Sequence, residues 1–378
     1  MIIESLHALD HIRESFNAET SRRERSIIGQ FLTPSPIARF MASMLEPGEQ
    51  DVRILDPGAG AGVLFAACIE TLVAQKNPPR SIEVVAYETD DMILPHPERT
   101  MKQCESICKV NGVTFNGIVK AEDFLLSAIA ETSETLFDPQ ANPFTHVIMN
   151  PPYKKFNVKG ETAKRLYASG IEVANLYAAF VWLSMRMLKQ GGQIVAITPR
   201  SFCNGPYFKK FRLEFLKTLS LKRIHLFTSR NKAFGDDNVL QENIIYHAVL
   251  DGQKPKSVMI SMSDAMDFSN ELTLFVPYAQ VVHPGDRDAF IHLGLDKDNL
   301  DIMEKIGSFV SSLGRLKLEV STGRVVDFRA REYLRQRPQD GTVPLVYPCH
   351  FSDGFINWPV ESGKSRMPFF HRLRHQTC

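Results

Sequence analysis

The stretch Val52-Arg53-Ile54-Leu55-Asp56-Pro57-Gly58-Ala59-Gly60-Ala61-Gly62 decides how this chain is read. Val52 to Leu55 has the pattern of a buried strand, and the run from Val63 to about Ala74 that of a helix. Glycines at alternate positions between them let the backbone approach a ligand closely and present amide hydrogens at a helix N-terminus. The spacing differs from Gly-x-Gly-x-x-Gly and Asp56 opens the loop. Together with the lack of an evident catalytic His, this disfavours a nicotinamide dehydrogenase. Taken alone, the loop is only a weak sign of a nucleotide-like cofactor.

Downstream, the strand Ile82 to Tyr87 closes on Glu88, with Asp90 just beyond. An acidic residue there is placed to accept hydrogen bonds from both hydroxyls of a ribose. A helix through about Lys109 and the strand Val113 to Val119 lead to Glu122-Asp123-Phe124. Asp123 and Phe124 either read an adenine amino group and cover its face, or are a helix N-cap with a buried neighbour. A polar loop is expected from Glu131 to Pro143, followed by the strand Thr145 to Met149. That strand ends abruptly at Asn150-Pro151-Pro152-Tyr153, because neither proline has an amide hydrogen for a ladder. An amide oxygen and an imide carbonyl suit a planar amino group, and a tyrosine ring suits the face of the ring that carries it. The other reading is an ordinary Asn-Pro turn. Lys154, Lys155, Lys159, Lys164 and Arg165 follow, with Glu161 the only acid among them.

The alternation continues with a helix over Leu176 to Lys189, a strand Gln193 to Thr198, a helix Tyr207 to Leu219, and strands Leu221 to Phe227 and Asn243 to Leu250. Phe208, Phe211 and Phe215 read as core. Strand and helix in repetition from 52 to 250 indicate an α/β fold with a doubly wound sheet and helices on both faces. Ligands in such sheets bind outside the carboxyl ends of the strands. The glycine loop, Glu88, Asp123 and Asn150 each fall at such an end, and this agreement is stronger than any of its parts.

Upstream, residues 1–28 read as a helical arm whose Arg22-Arg23-Glu24-Arg25 is either a solvated face or a nucleic-acid contact. Thr33 as N-cap and Pro34 at the first helical position would start a helix carrying Ile37, Phe40, Met41, Met44 and Leu45. From Gln253 the composition shifts to polar linkers and short segments. We therefore expect a catalytic domain over 29–254 and a second, substrate-reading domain over 255–378. The final stretch, Phe369 to Cys378, shows no closing element, so that second domain reads as incomplete.

The chain has 378 residues, 44% of them hydrophobic, and a net charge of +1, so composition fits a globular protein and neither demands nor excludes a polyanionic partner. No apolar run reaches the roughly 18 residues that span a bilayer, and the N-terminus lacks a signal-peptide core, which points to the cytoplasm and to no membrane partner. Cys68, Cys104, Cys108, Cys203, Cys349 and Cys378 form no Cys-x-x-Cys pair, so neither disulfides nor a metal site is indicated.

These residues resemble the amino-group DNA methyltransferases that modify the N6 of adenine, in the motif order called gamma class, as in the modification methylases of type II restriction-modification systems. Gly29 to Pro34 looks like the N-terminal cofactor motif, Asp56 to Gly62 the glycine loop, and Glu88, Asp123 and Asn150 to Tyr153 the later motifs. The resemblance implies a Rossmann-like methyltransferase sheet followed by a C-terminal target recognition domain, whose start Ser321 to Arg329 looks like. It implies S-adenosylmethionine as cofactor: Thr33 on the methionine carboxylate, the amides of Gly58, Gly60 and Gly62 near the methionine, Asp56 assisting its ammonium, Glu88 on the ribose, Asp123 and Phe124 on the adenine. Asn150 and Pro151 would accept the two N6 hydrogens of an adenine flipped out of double-stranded DNA. Tyr153 would stack on that base and Phe234 pack on it from another side. Lys154, Lys155, Arg324, Arg329 and Arg331 are candidates for DNA contact. A cognate restriction endonuclease acting separately is the partner such an enzyme implies. The same Asn-Pro-Pro-Tyr also occurs in RNA and protein-glutamine methyltransferases, which tend to lack a large C-terminal reader. A non-catalytic DNA-binding specificity protein on this fold would be expected to have lost Asn150 or the acidic residues.

Overall fold

Two consecutive prolines after one strand and a glycine loop after another set the architecture, since each ends its strand at the same edge of one sheet. The computed structural model describes residues 10, 11, 13, 32–134, 143–154, 160–173, 175–227, 243–264, 267–294, 305–306, 308–311, 313–319, 330–358 and 369–371. Helix α1 (Ser35–Ser43) precedes β1 (Asp51–Asp56), α2 (Val63–Val73), β2 (Ser81–Tyr87), α3 (Pro95–Val110), β3 (Thr114–Lys120), α4 (Phe124–Glu134) and β4 (Phe144–Met149). Then come α5 (Glu161–Ala168), α6 (Leu176–Met187), β5 (Leu188–Pro199), α7 (Lys209–Thr218), β6 (Ser220–Phe227), β7 (Asn243–Val249), β8 (Ser257–Asp264), β9 (Asp267–Pro277) and α8 (Tyr278–Val281).

The nine strands form one sheet in the order β3-β2-β1-β4-β5-β7-β6-β8-β9. Strands β3, β2, β1, β4 and β5 run parallel, while β7 is antiparallel to both β5 and β6. The chain winds outward from β1 on one side and returns to β4 on the other, so the switch point lies between β1 and β4. Crossover helices cover both faces, and side chains alternate between two cores with the period of the pleat. On β5, Ile194 and Ala196 join one core while Val195 and Ile197 join the other. Phe208, Phe211 and Phe215 are all buried in the first of these.

Three local expectations change. Helix α4 runs on through Glu134, so the polar stretch from Glu131 begins inside a helix. Helix α1 begins at Ser35 with Pro34 as its N-cap, and Thr33 makes no capping bond. Its first amide, that of Ser35, instead donates to the Asp10 carboxylate at 3.0 Å, which ties the N-terminal arm to the sheet domain.

The third change concerns the boundary expected after residue 254. Strand β8 pairs in parallel with β6, from Arg223 opposite Met259 to Phe227 opposite Ser263, and β9 folds back on β8. Val258, Ile260 and Val276 are buried in the same core as β5. By packing, the first compact unit is Met1–Asp301 and the second Ile302–Cys378. The polar linkers around 253 hid two strands that extend the sheet.

Arg212, on α7, pins the chain beyond these strands. Its side chain is fully buried. Nε and Nη2 donate to the Asp288 carbonyl at 2.8 and 2.6 Å, and Nη1 donates to the carbonyls of Phe202 and Gly205 at 2.8 and 3.1 Å. The Phe290 ring lies 4.9 Å from the guanidinium carbon. In the second unit, β10 (Leu334–Arg335), β11 (Thr342–Pro344) and β14 (Phe369–His371) form an antiparallel sheet in the order β10-β14-β11. A hairpin of β12 (Phe351–Ser352) and β13 (Phe355–Ile356) turns through Asp353 and Gly354, both at positive φ, as a two-residue hairpin turn requires.

Arg212→Ala should leave these carbonyls buried without donors and cost roughly 3 kcal/mol or more in urea denaturation. Arg212→Lys should recover little of it, because an ammonium cannot reproduce the planar fork.

Candidate active site

The site is built at the carboxyl ends of β1, β2, β3 and β4. After β1 the chain must turn within a few residues into α2, and Gly60 and Gly62 do this at φ +53° and +88°. A Cβ on Gly60 would stand 2.6 Å from the Leu32 side chain, and one on Gly62 would stand 2.5 Å from the Phe65 ring. Only glycine fits either position.

Glu88, just past β2, holds this loop. One carboxylate oxygen accepts the Gly60 amide at 2.9 Å, and the other accepts those of Thr89 and Asp90 at 2.8 and 2.9 Å. Three of a carboxylate's roughly four acceptor directions are thereby filled, which leaves capacity on the oxygen facing the loop. The Ala59 amide also reaches across to the Tyr87 carbonyl at 2.9 Å.

Asp56 is fully buried, and neither of its oxygens has a hydrogen-bond partner among the described residues. The amides of Gly58 and Phe65 lie close enough to favour its ionised form without closing to bonding geometry. Burial dominates and, helped by the nearby Glu88 carboxylate, pushes the Asp56 carboxyl up to about 7. A bare buried carboxylate is costly unless something cationic comes to it.

Asn150 follows β4 and is half-buried. Its Nδ2 donates to Thr33 Oγ1 at 3.0 Å, and the Tyr153 hydroxyl donates to its Oδ1 at 2.9 Å. The same hydroxyl lies 3.3 Å from the Ile197 carbonyl, and the Tyr153 ring meets Tyr177 edge-on at 6.5 Å. Burial raises the Tyr153 hydroxyl well above its ordinary range, so it stays protonated and remains a donor. Asp123 caps α4, accepting the amides of Leu125 and Leu126 at 2.8 and 3.3 Å, while Phe124 is buried edge-on to Tyr87 at 5.3 Å.

A cavity of about 230 Å³ gathers several of these residues. Pro57, Gly58, Gly60, Glu88, Asp123, Phe124, Asn150 and Pro151 line it, together with Leu32, Tyr87, Asp90 and Phe180. A recess of about 20 Å³ shares Gly58, Gly60 and Asn150 with it and adds Thr33 and Arg13. Asp123 and Phe124 thus serve as cap and core neighbour and also face the cavity. Sequence reasoning missed Phe180 and Arg13. Phe180 had been read only as part of a helix, and only the packing of α6 against α4 and β5, which sets its ring 5.2 Å from Phe124, turns it to the cavity. Arg13 is nine-tenths buried, with Nε 3.6 Å from Asp10, so the arm supplies a cation to the recess.

The remaining expected residues are not gathered there: Asp56, Gly62 and Tyr153 line neither the cavity nor the recess. Lys154 is exposed at the rim, and Arg331 is exposed in the short 3-10 helix Arg331–Tyr333 of the second unit. Lys155, Phe234, Arg324 and Arg329 lie outside the described residues.

Comparison with known proteins gives these features their setting. Residues 87–234 match the model of the Eco57I restriction-modification methylase family. A modification subunit assigned to a type I restriction enzyme of Vibrio vulnificus YJ016 shares the fold, with a TM-score of 0.56 at 17% identity over 80% of this chain and 66% of that one. The fold is therefore one that restriction-modification methyltransferases use. The type II methyltransferase M.PstI of Providencia stuartii is 37% identical over 356 residues, 94% of this chain and 69% of the relative. M.BsuBI of Bacillus subtilis is 39% identical over 340 residues, 89% and 66% respectively. This chain belongs to the type II restriction-modification methyltransferases, and it spans about two-thirds of the length of these two relatives.

Asp56 makes a prediction that needs no ligand. Its folded-state value lies above the ordinary one of 3.8, so its contribution to stability is intact below about pH 4 and is lost as pH rises through about 7. Asp56→Asn should therefore be more stable than the parent at pH 8, by up to ~4 kcal/mol, with the gap closing toward pH 4. Denaturation at several pH values measures it, and a gap independent of pH would contradict the burial argument.

Proposed function

We propose that this chain transfers a methyl group from S-adenosylmethionine to the N6 amino group of an adenine flipped out of duplex DNA, as the modification half of a restriction-modification system. The observation that carries this reading is that Asn150, Pro151 and Pro152 line one cavity with the glycine loop and Glu88.

The cavity suits the cofactor chemically. The unpartnered Asp56 carboxylate lacks a cation, and an aliphatic ammonium would supply it. Glu88 retains acceptor capacity for ribose hydroxyls. Asp123, with Phe124 and Phe180, offers an acceptor and two aromatic faces to a purine. Arg13 lines the adjoining recess and would take the methionine carboxylate. When bound, S-adenosylmethionine supplies a methyl group on an electron-poor sulfonium.

The chain's own task is to prepare the amine. Extruding the base costs a few kcal/mol of stacking and pairing, and a tyrosine face returns ~1–3 kcal/mol of it. Asn150 Oδ1 and the Pro151 carbonyl would accept the two N6 hydrogens, which draws the nitrogen lone pair out of conjugation with the ring. The site then works by position and by acceptors fixed in advance, without a general base of tuned pKa before attack. Lys154 at the rim and the basic residues of the second unit would meet phosphates.

The test incubates the protein with duplex DNA and methyl-labelled S-adenosylmethionine and identifies the labelled base. N6-methyladenine is expected. Label in another base, in RNA or in a protein glutamine would replace the substrate in this reading. Asn150→Ala should lose methyl transfer while keeping most of its cofactor affinity, whereas Glu88→Ala should weaken cofactor binding in calorimetry. A fully active Asn150→Ala enzyme would sink the assignment.

A further inference from the structure

Thr33 stands in the stretch whose family resemblance implies a contact with the cofactor, yet its hydroxyl is engaged elsewhere. It is buried, 117 positions from Asn150 in sequence, and its Oγ1 accepts the Asn150 Nδ2 hydrogen at 3.0 Å. We propose that Thr33 is a positioning residue for the methyl-transfer step: its hydroxyl holds the Asn150 side chain in place before the target amine.

The incoming amine is itself a donor, so the Asn150 amide must be held where its oxygen meets it. The terminal torsion of an asparagine is broad, and packing alone leaves the amide loose. Two hydroxyls hold it at once: Nδ2 donates to Thr33 Oγ1 at 3.0 Å, and the Tyr153 hydroxyl donates to Oδ1 at 2.9 Å. Thr33 is held by its place immediately before Pro34 and α1, whose first turn Asp10 caps. Arg13, in the same recess, carries the positive charge that a carboxylate calls for, so Thr33 is not required for that task.

This inference rests on the reading of Asn150 given above, and its test separates the two. With duplex DNA and saturating S-adenosylmethionine, Thr33→Val, which keeps the side-chain shape and removes the acceptor, should lower kcat at least tenfold. Its cofactor dissociation constant should change less than twofold, and Thr33→Ser should restore most of the rate. Thr33→Ala, with a thermal melt on each variant, serves where Val does not fold. If Thr33→Val or Thr33→Ala weakens cofactor binding while kcat at saturation is unchanged, Thr33 serves the cofactor and the inference is overturned. It is also overturned if Ser fails to rescue a folded enzyme. Asn150→Ala run alongside shows which idea has failed: if it still methylates, the reading of the site falls, and if it is inactive, a negative result at Thr33 counts against the positioning role alone.

Discussion

The Glu88 carboxylate is the contact on which the rest of the site depends. It gathers the amides of Gly60, Thr89 and Asp90, so the turn after β1 and the chain after β2 form one hydrogen-bonded unit. The bond from Gly60 has the right length only because β1 and β2 run parallel and in register, with Asp56 opposite Ala86. The glycine loop can then adopt positive φ twice without wandering, and the Leu32 and Phe65 side chains close over the space that glycine leaves. A carboxylate fixed by three amides keeps its orientation while remaining an acceptor.

Asp56 lies on the other side of this balance. The fold buries a carboxyl group completely and gives it no hydrogen-bonding partner, a cost that packing at the base of the loop must offset. The two acids of the loop region differ in this respect: Glu88 has its donors built in, and Asp56 has none among the described residues.

Much of this was legible along the chain. Alternation of apolar runs with helical stripes gave the sheet, and each of the acidic, glycine and Asn-Pro-Pro-Tyr features was placed correctly at a strand end. These signals are local, since turn chemistry and pleat period act over a few residues. Errors arose where the deciding contact was distant or the composition misleading. Residues 255–277 look like linker because β9 keeps mostly exposed side chains, yet they extend the sheet. Thr33 looked like a helix cap because threonine before proline often is one, but its hydroxyl had a better partner more than a hundred residues away. No local pattern singles out Arg212 on its helix, and it is a fully buried bolt for the chain around Asp288.

By itself, the sequence determined the fold class, the order of the elements and the strand ends at which chemistry would sit, because periodicity, proline and glycine act locally on the backbone. Only the tertiary structure decided which side chains share the cavity, that Phe180 and Arg13 join it, that Asp56 is left without a partner, and that Thr33 and Tyr153 hold the two ends of one amide. Those facts depend on hydrogen bonds and burial between residues far apart in sequence, and no local pattern encodes the distance or direction of such a contact.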